Sequence, residues 1–355
     1  MIKSPAIRLT PRYAIAISGI NAIDNPAPGT GIARSLREDQ EFPTKIIGLA
    51  YDAMEPGLYM DWLFDRRYIM PYPSAEPEVL IERLQQIKQQ FGLDCIIPNF
   101  DVELPLYIRC AEELKALGIR TFLPTKTQFA LRNKANLVEA AANFGLQTPR
   151  TITVTSVAEL NKATAKLGFP LMIKGPYYKA YRVSSNGEAV QRFHQLAAEW
   201  GYPIILQQIV TGIEINLVGV GDGEGNHFGM VAIKKMSVTE LGKIWSGVTI
   251  HHEDLMDAAA KFLRHTCWKG PFELECIADS EGKIYLIEIN PRFPAWTYFA
   301  TGVGINLPSR LVRAMLGLPL PPLPSYPAGK LFVRYTYEIV TDATPLQALV
   351  TQGER

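Results

Sequence analysis

From residue 13 to about residue 125 the chain alternates short β-rich runs with longer helical ones, and this alternation restricts the fold more than any other feature. "YAIAISGI", "TKIIGLA", "DCIIPN" and "RTFLP" read as strands, whereas "GIARSLRED", "PEVLIERLQQIKQQFG" and "PLYIRCAEELKALG" read as helices. Strands that take turns with helices build βαβ units, and these favour a parallel sheet covered by helices. The first lobe is expected to be an open α/β domain.

The pattern then changes. "TKTQFALRNKANLVEAAANFG" is predicted to be one helix, with Leu137, Ala140, Ala141 and Phe144 on one face and Gly145 at its end. Two helix and strand pairs follow, "SVAELNKATAKLG" with "FPLMIKGP" and "GEAVQRFHQLAAEWG" with "PIILQQIV". "EINLVGVGDGEGNHFGMVAIKKM" gives two strands around a glycine-rich turn, which predicts an antiparallel hairpin; no helix follows the glycines, so a phosphate cradle is disfavoured. Residues 126–320 therefore read as α+β with mixed sheets. The expected divisions are 1–125, 126–206, 207–320 and a tail, 321–355, where a proline-rich connector leads into a strand. A packed linker explains that connector better than a polyproline ligand.

Charge narrows the partners. Lys plus Arg number 36 against 35 for Asp plus Glu, a net charge of +1, which gives no general footprint for nucleic acid or an anionic membrane. Cys95, Cys110, Cys267 and Cys276 form no C-x-x-C pair, and 355 residues can bury a core without disulfides, so a reducing cytoplasm is the expected location. No apolar run approaches the roughly 20 residues of a membrane helix, and no signal peptide is read.

The chemistry concentrates in "GPFELECIADSEGKIYLIEINPRF". Side chains alternate along a strand, so Glu288, Asn290 and Arg292 point one way from the end of an apolar run. If the preceding run pairs with it across the "DSEG" turn, Glu275 faces Glu288. Two carboxylates and an amide oxygen suit Mg2+, with Mn2+ as a substitute, and Arg292 suits a phosphate or carboxylate. The bland reading of Glu288 and Arg292 is a surface ion pair. Lys134 opens a helix, and Lys174 ends the strand "FPLMIK" before Gly175 and Pro176 stop the ladder. "LQQIVTGIE" offers backbone groups to a flat base, and its Glu214 is an acceptor for ribose hydroxyls. Lys234 lies close by in sequence, the amides near Thr30 and Gly31 open a helix, and His251 and His252 have no third metal ligand at suitable spacing.

The order of these pieces resembles the ATP-grasp superfamily, in particular the carbamoyl phosphate synthase large-subunit and biotin carboxylase branch. The likeness covers nearly the whole chain, and "EINPRFPAWTYFATGVGINLPSRLVRAMLG" resembles the hallmark segment. It implies an ATP-grasp fold with an N-terminal open parallel-sheet pre-grasp lobe. It also implies ATP phosphates on Lys134 and Lys174, adenine on the backbone of Gln208 and Ile209, ribose on Glu214, and Mg2+ on Glu275, Glu288 and Asn290. Arg292 would face the transferring phosphoryl group. The implied activity is an ATP-dependent ligation of a small-molecule or peptide carboxylate to an amine, without nucleic acid or membrane and with a homodimer as one assembly. The alternative is a noncatalytic MgATP sensor or partner subunit. One departure lies at "KGPYYKAYRV", where relatives often have clustered glycines: either Lys179 and Arg182 cover the phosphates, or the loop reads the acceptor.

Overall fold

The computed structural model describes residues 12–175, 179–240 and 242–355, with the side chains of residues 134–136 outside that description. The chain divides into a larger unit, Met1–Arg132, Ile215–Leu274 and Ile289–Arg355, and a smaller unit, Asn133–Glu214 and Glu275–Glu288.

The larger unit begins with β1 (Tyr13–Ile17), a short hairpin of β2 (Ala22–Ile23) and β3 (Asn25–Pro26), then β4 (Thr44–Ala50), β5 (Arg66–Ile69) and β6 (Cys95–Ile97). The sheet order is β5-β4-β1-β6 and every pairing is parallel. In β1, Ile15 and Ile17 enter one buried cluster while Ala14 and Ala16 enter another, the two-faced burial that a parallel sheet requires. "RTFLP" is not a strand; Arg120 makes only an isolated parallel bridge to Cys95. β5 is not legible in the sequence because Arg66 and Arg67 have the character of surface residues. Arg67 is in fact buried, with Asp61 at 2.8 Å and the Phe64 carbonyl at 2.7 Å. The C-terminal Arg355 exchanges backbone hydrogen bonds with Arg67, at 2.8 and 2.9 Å, and so extends this sheet edge.

In the smaller unit, β7 (Thr151–Val154), β8 (Leu171–Lys174), β9 (Ala180–Val183) and β10 (Ile204–Gln208) form a sheet of order β7-β10-β8-β9. All three of its pairings are antiparallel rather than mixed. Helices Val157–Leu167 and Asn186–Trp200 pack on it through Leu160, Phe193 and Leu196, and each is capped by a serine hydroxyl, Ser156 or Ser185. The single helix expected before this sheet is two, Lys126–Ala130 and Lys134–Asn143. The first carries a Thr125 and Gln128 capping box, and a turn separates them.

The third sheet contains β11 (Ile213–Asp222), β12 (His227–Val238), β13 (Ile244–Ile250), β14 (Lys269–Ala278), β15 (Ile284–Asn290) and β16 (Leu331–Val333), in the order β15-β14-β11-β12-β13-β16. The β11–β12 connection is a hairpin turn in which Asp222 Oδ1 accepts from the amides of Glu224 at 2.7 Å and Asn226 at 3.0 Å. The proline-rich connector is packed: buried Tyr326 accepts from the Ala232 amide at 3.0 Å and donates to the Ile250 carbonyl at 2.9 Å. The tail strand is shorter than expected, and a helix, Thr344–Gln352, follows it. Among the described residues no helix is long and apolar enough to cross a membrane.

Candidate functional site

Lys174 ends β8 in the smaller unit, and its Nζ donates to Gln207 Oε1 at 2.6 Å. Burial pulls this ammonium below the ordinary lysine range, while the negative charges of Glu288 and Glu275 pull it back up. A lysine at the end of β8 and two carboxylates on β14 and β15 therefore act on one another within the same unit. Glu288 is exposed and Glu275 half-buried. Glu214 stands exposed at the start of β11 just after Gly212, where a Cβ would come within 2.2 Å of the Ala278 carbonyl oxygen. Only glycine lets the two backbones approach that closely. The Gln208 amide donates to the Arg150 carbonyl at 2.9 Å, and Gln208 lies opposite Leu171 at the end of the β8–β10 ladder, just before Ile209. Lys134 opens its helix, but its side chain lies outside the described residues, as do Tyr177 and Tyr178. Lys179 is ion-paired with Glu199, and Arg182 lies within β9 opposite Met172.

The larger unit holds Asn290, Arg292 and Lys234. Asn290 is buried and gives its amide nitrogen to Glu273 Oε2 at 2.9 Å, which turns its oxygen toward Arg292 Nη2 at 3.4 Å. Glu273 is also buried; its Oε1 accepts from Asn216 at 2.7 Å and from the Trp296 indole at 2.7 Å. Glu273 was not among the residues expected here, although it sits two residues before Glu275 on one strand face. Arg292 Nε donates to Asp101 at 3.1 Å, and Arg132 lies 3.6 Å from the same carboxylate. Lys234 is half-buried on β12, opposite Ile215 and Val248. Asp101 lies 191 residues from Arg292, and no local pattern announces it.

A further polar cluster sits where β1, β4 and β6 end. Glu103 is fully buried and accepts from the Ser18 and Tyr51 hydroxyls and from the amides of Asn99 at 2.6 Å and Phe100 at 2.9 Å. Burial raises its carboxyl above the usual range, and burial pushes nearby Glu55 up to about 7. The helix beginning at Pro28 packs tightly here: the Gly29 amide donates to the Gly19 carbonyl at 2.8 Å, and Tyr298 closes on Gly31. His252 caps the helix Glu253–Thr266.

No family model matches the chain. The arginine-specific carbamoyl phosphate synthase large chain of Bacillus subtilis is 24% identical over 243 residues, which is 64% of this chain and 22% of that one. The chain thus spans about a fifth of that relative's length. Among solved structures, an ADP complex of PurK, N5-carboxyaminoimidazole ribonucleotide synthetase, superposes with a TM-score of 0.68 at 17% identity, over 92% of this chain and 82% of that one. The biotin carboxylase domain of Hydrogenobacter thermophilus 2-oxoglutarate carboxylase, a dimer with MgADP, ADP and bicarbonate, gives 0.66 at 17% identity, over 86% and 70%. The L-amino acid ligase of Bacillus licheniformis gives 0.62 at 18%, over 86% and 75%. The fold is the ATP-grasp fold.

The side chains of Glu275 and Glu288, in the smaller unit, and of Asn290, in the larger, each carry oxygen donors, the kind that a hard cation such as Mg2+ takes. Among the described residues, no group of three or more His, Cys, Asp or Glu is gathered to hold a metal.

Proposed function

We propose that the protein is an ATP-dependent carboxylate–amine ligase that activates a small-molecule or peptide carboxylate as an acyl phosphate. The observation that carries this reading is Lys174, whose half-buried ammonium lies in the field of Glu288 and Glu275. A cation beside two carboxylates suits a nucleotide polyphosphate that arrives with its own divalent metal, and the ATP-grasp relatives support the same reading.

In this reading Lys134 and Lys174 hold the phosphates, with Lys234 as a further nucleotide contact. The Gln208 carbonyl and Ile209 receive adenine, and Glu214 receives the ribose. Glu275, Glu288 and Asn290 hold Mg2+, for which Mn2+ is a substitute; when bound, the ion neutralises charge on the terminal phosphates. Arg292, its guanidinium oriented by Asp101, faces the transferring phosphoryl group and the acyl substrate. A carboxylate oxygen attacks the γ-phosphorus, and the bond to the β-phosphate oxygen breaks with its electron pair leaving on ADP. The amine then attacks the acyl carbon, phosphate departs, and the amine loses a proton. Such transfer needs positioning and charge stabilisation rather than a protein nucleophile.

Incubation with ATP, Mg2+, hydroxylamine and a panel of carboxylic acids tests the reading. The expected products are ADP, phosphate and a hydroxamate, with carboxylate oxygen label carried into the phosphate. AMP as the stoichiometric product would overturn the mechanism.

A further inference from the structure

Lys174 belongs to a chain of hydrogen bonds whose direction is fixed by proton count. Its Nζ donates to Gln207 Oε1 at 2.6 Å, Gln207 Nε2 donates to Thr151 Oγ1 at 3.0 Å, and Thr151 Oγ1 donates to the Pro149 carbonyl at 2.9 Å. The register explains why the three side chains meet. β10 lies between β7 and β8, with Gln207 opposite Thr151 and with Ile205, two residues back on the same face, opposite Lys174. Gln207 thus reaches one neighbour directly and the other diagonally.

A threonine hydroxyl has a single proton, and Pro149 takes it. The oxygen is then restricted to accepting, so Gln207 must turn its NH2 toward Thr151 and its carbonyl toward Lys174. Gln207 is 5% exposed, which denies it alternative partners in water. We propose that Thr151 and Gln207 are positioning residues that aim the Lys174 ammonium at the nucleotide phosphates. This rests on reading Lys174 as a phosphate ligand. A neutral amide holds the ammonium without neutralising it. A carboxylate at 207 would form an ion pair and lower the charge offered to phosphate, and an apolar side chain there would release the ammonium toward Glu288 and Glu275.

Calorimetric titration of MgADP into the wild type and four variants, with melting curves for each, tests the relay. Gln207→Leu removes a hydrogen bond to a charged group, and its affinity should fall about tenfold or more. Thr151→Val takes away the acceptor that anchors Gln207 Nε2, loosens the amide that holds Lys174, and should weaken binding about threefold to tenfold, whereas Thr151→Ser keeps the proton pattern and should bind as the wild type does. Gln207→Glu keeps an acceptor oxygen but should still weaken binding, an outcome that a packing role does not produce. If Gln207→Leu melts early, Gln207→Met carries the same comparison. Wild-type protein that gives no MgADP heat would overturn the nucleotide reading itself. Wild-type binding matched within about twofold by Thr151→Val, Gln207→Leu and Gln207→Glu would overturn the relay while leaving that reading intact.

Discussion

Each unit ends a sheet in a polar cluster, fully buried around Glu103 and half-buried around Lys174, and the two clusters treat charge differently. In the larger unit Glu103 accepts from two hydroxyls and two backbone amides, and burial raises its carboxyl. The groups around it serve its acceptor capacity, and the cluster ties together the segments that follow β1, β4 and β6. In the smaller unit, among the described residues, Lys174 donates to the neutral acceptor Gln207, with two carboxylates acting on it as well. Polar groups that satisfy one another hold a fold in place. A charge held by a neutral partner keeps its field for a ligand, and under the function proposed for Lys174 this contrast would separate scaffold from site more clearly than burial does.

The largest expected effect is on the scaffold side. Glu103→Ala strips the acceptor from four donors, and with about 1 to 3 kcal/mol for each buried group left unpaired, a loss near 4 kcal/mol or more in stability is expected by denaturant titration. MgADP affinity of the folded fraction should be unchanged. A cost below about 1 kcal/mol would show that the cluster is not structural.

Glu55 sharpens the same contrast through pH. Its carboxyl is raised from an ordinary 4.5 to about 7, chiefly by burial, so between those values the native state keeps a proton that the unfolded chain has lost. Its contribution is therefore full below about pH 4.5 and declines by up to about 3 kcal/mol as pH climbs to about 7. Glu55→Gln should flatten that decline in a series of melting curves. Parallel wild-type and variant curves would place Glu55 outside the scaffold's titrating core.

The alternation of strands and helices made the parallel sheet legible from "YAIAI", "TKIIGLA" and "DCII", because two-faced burial leaves an uninterrupted apolar run. β5 was hidden because Arg67, though buried, carries a charge that local pattern assigns to the surface. Glycine-rich "GDGEGN" signalled a hairpin, and the Asp222 turn made it one. The acidic residues of β14 and β15 were legible because strand period is local, and the same period contained Glu273. Asp101 beside Arg292 and Thr151 beside Gln207 were beyond reach, since pairing across 191 and 56 residues depends on which strands become neighbours. The adenine and ribose roles proposed for Gln208, Ile209 and Glu214 rest mainly on the family likeness, because spacing alone leaves them open.

The central claim is that the smaller unit's Lys174 binds nucleotide phosphate while the larger unit's Glu103 holds the fold. It is tested most directly by MgADP calorimetry on the wild type and Lys174→Met, each with its melting temperature. Saturable heat in the wild type is expected, with affinity at least about tenfold weaker in Lys174→Met and little change in melting without ligand. Equal affinity in the two proteins, or no heat in either, would contradict the account.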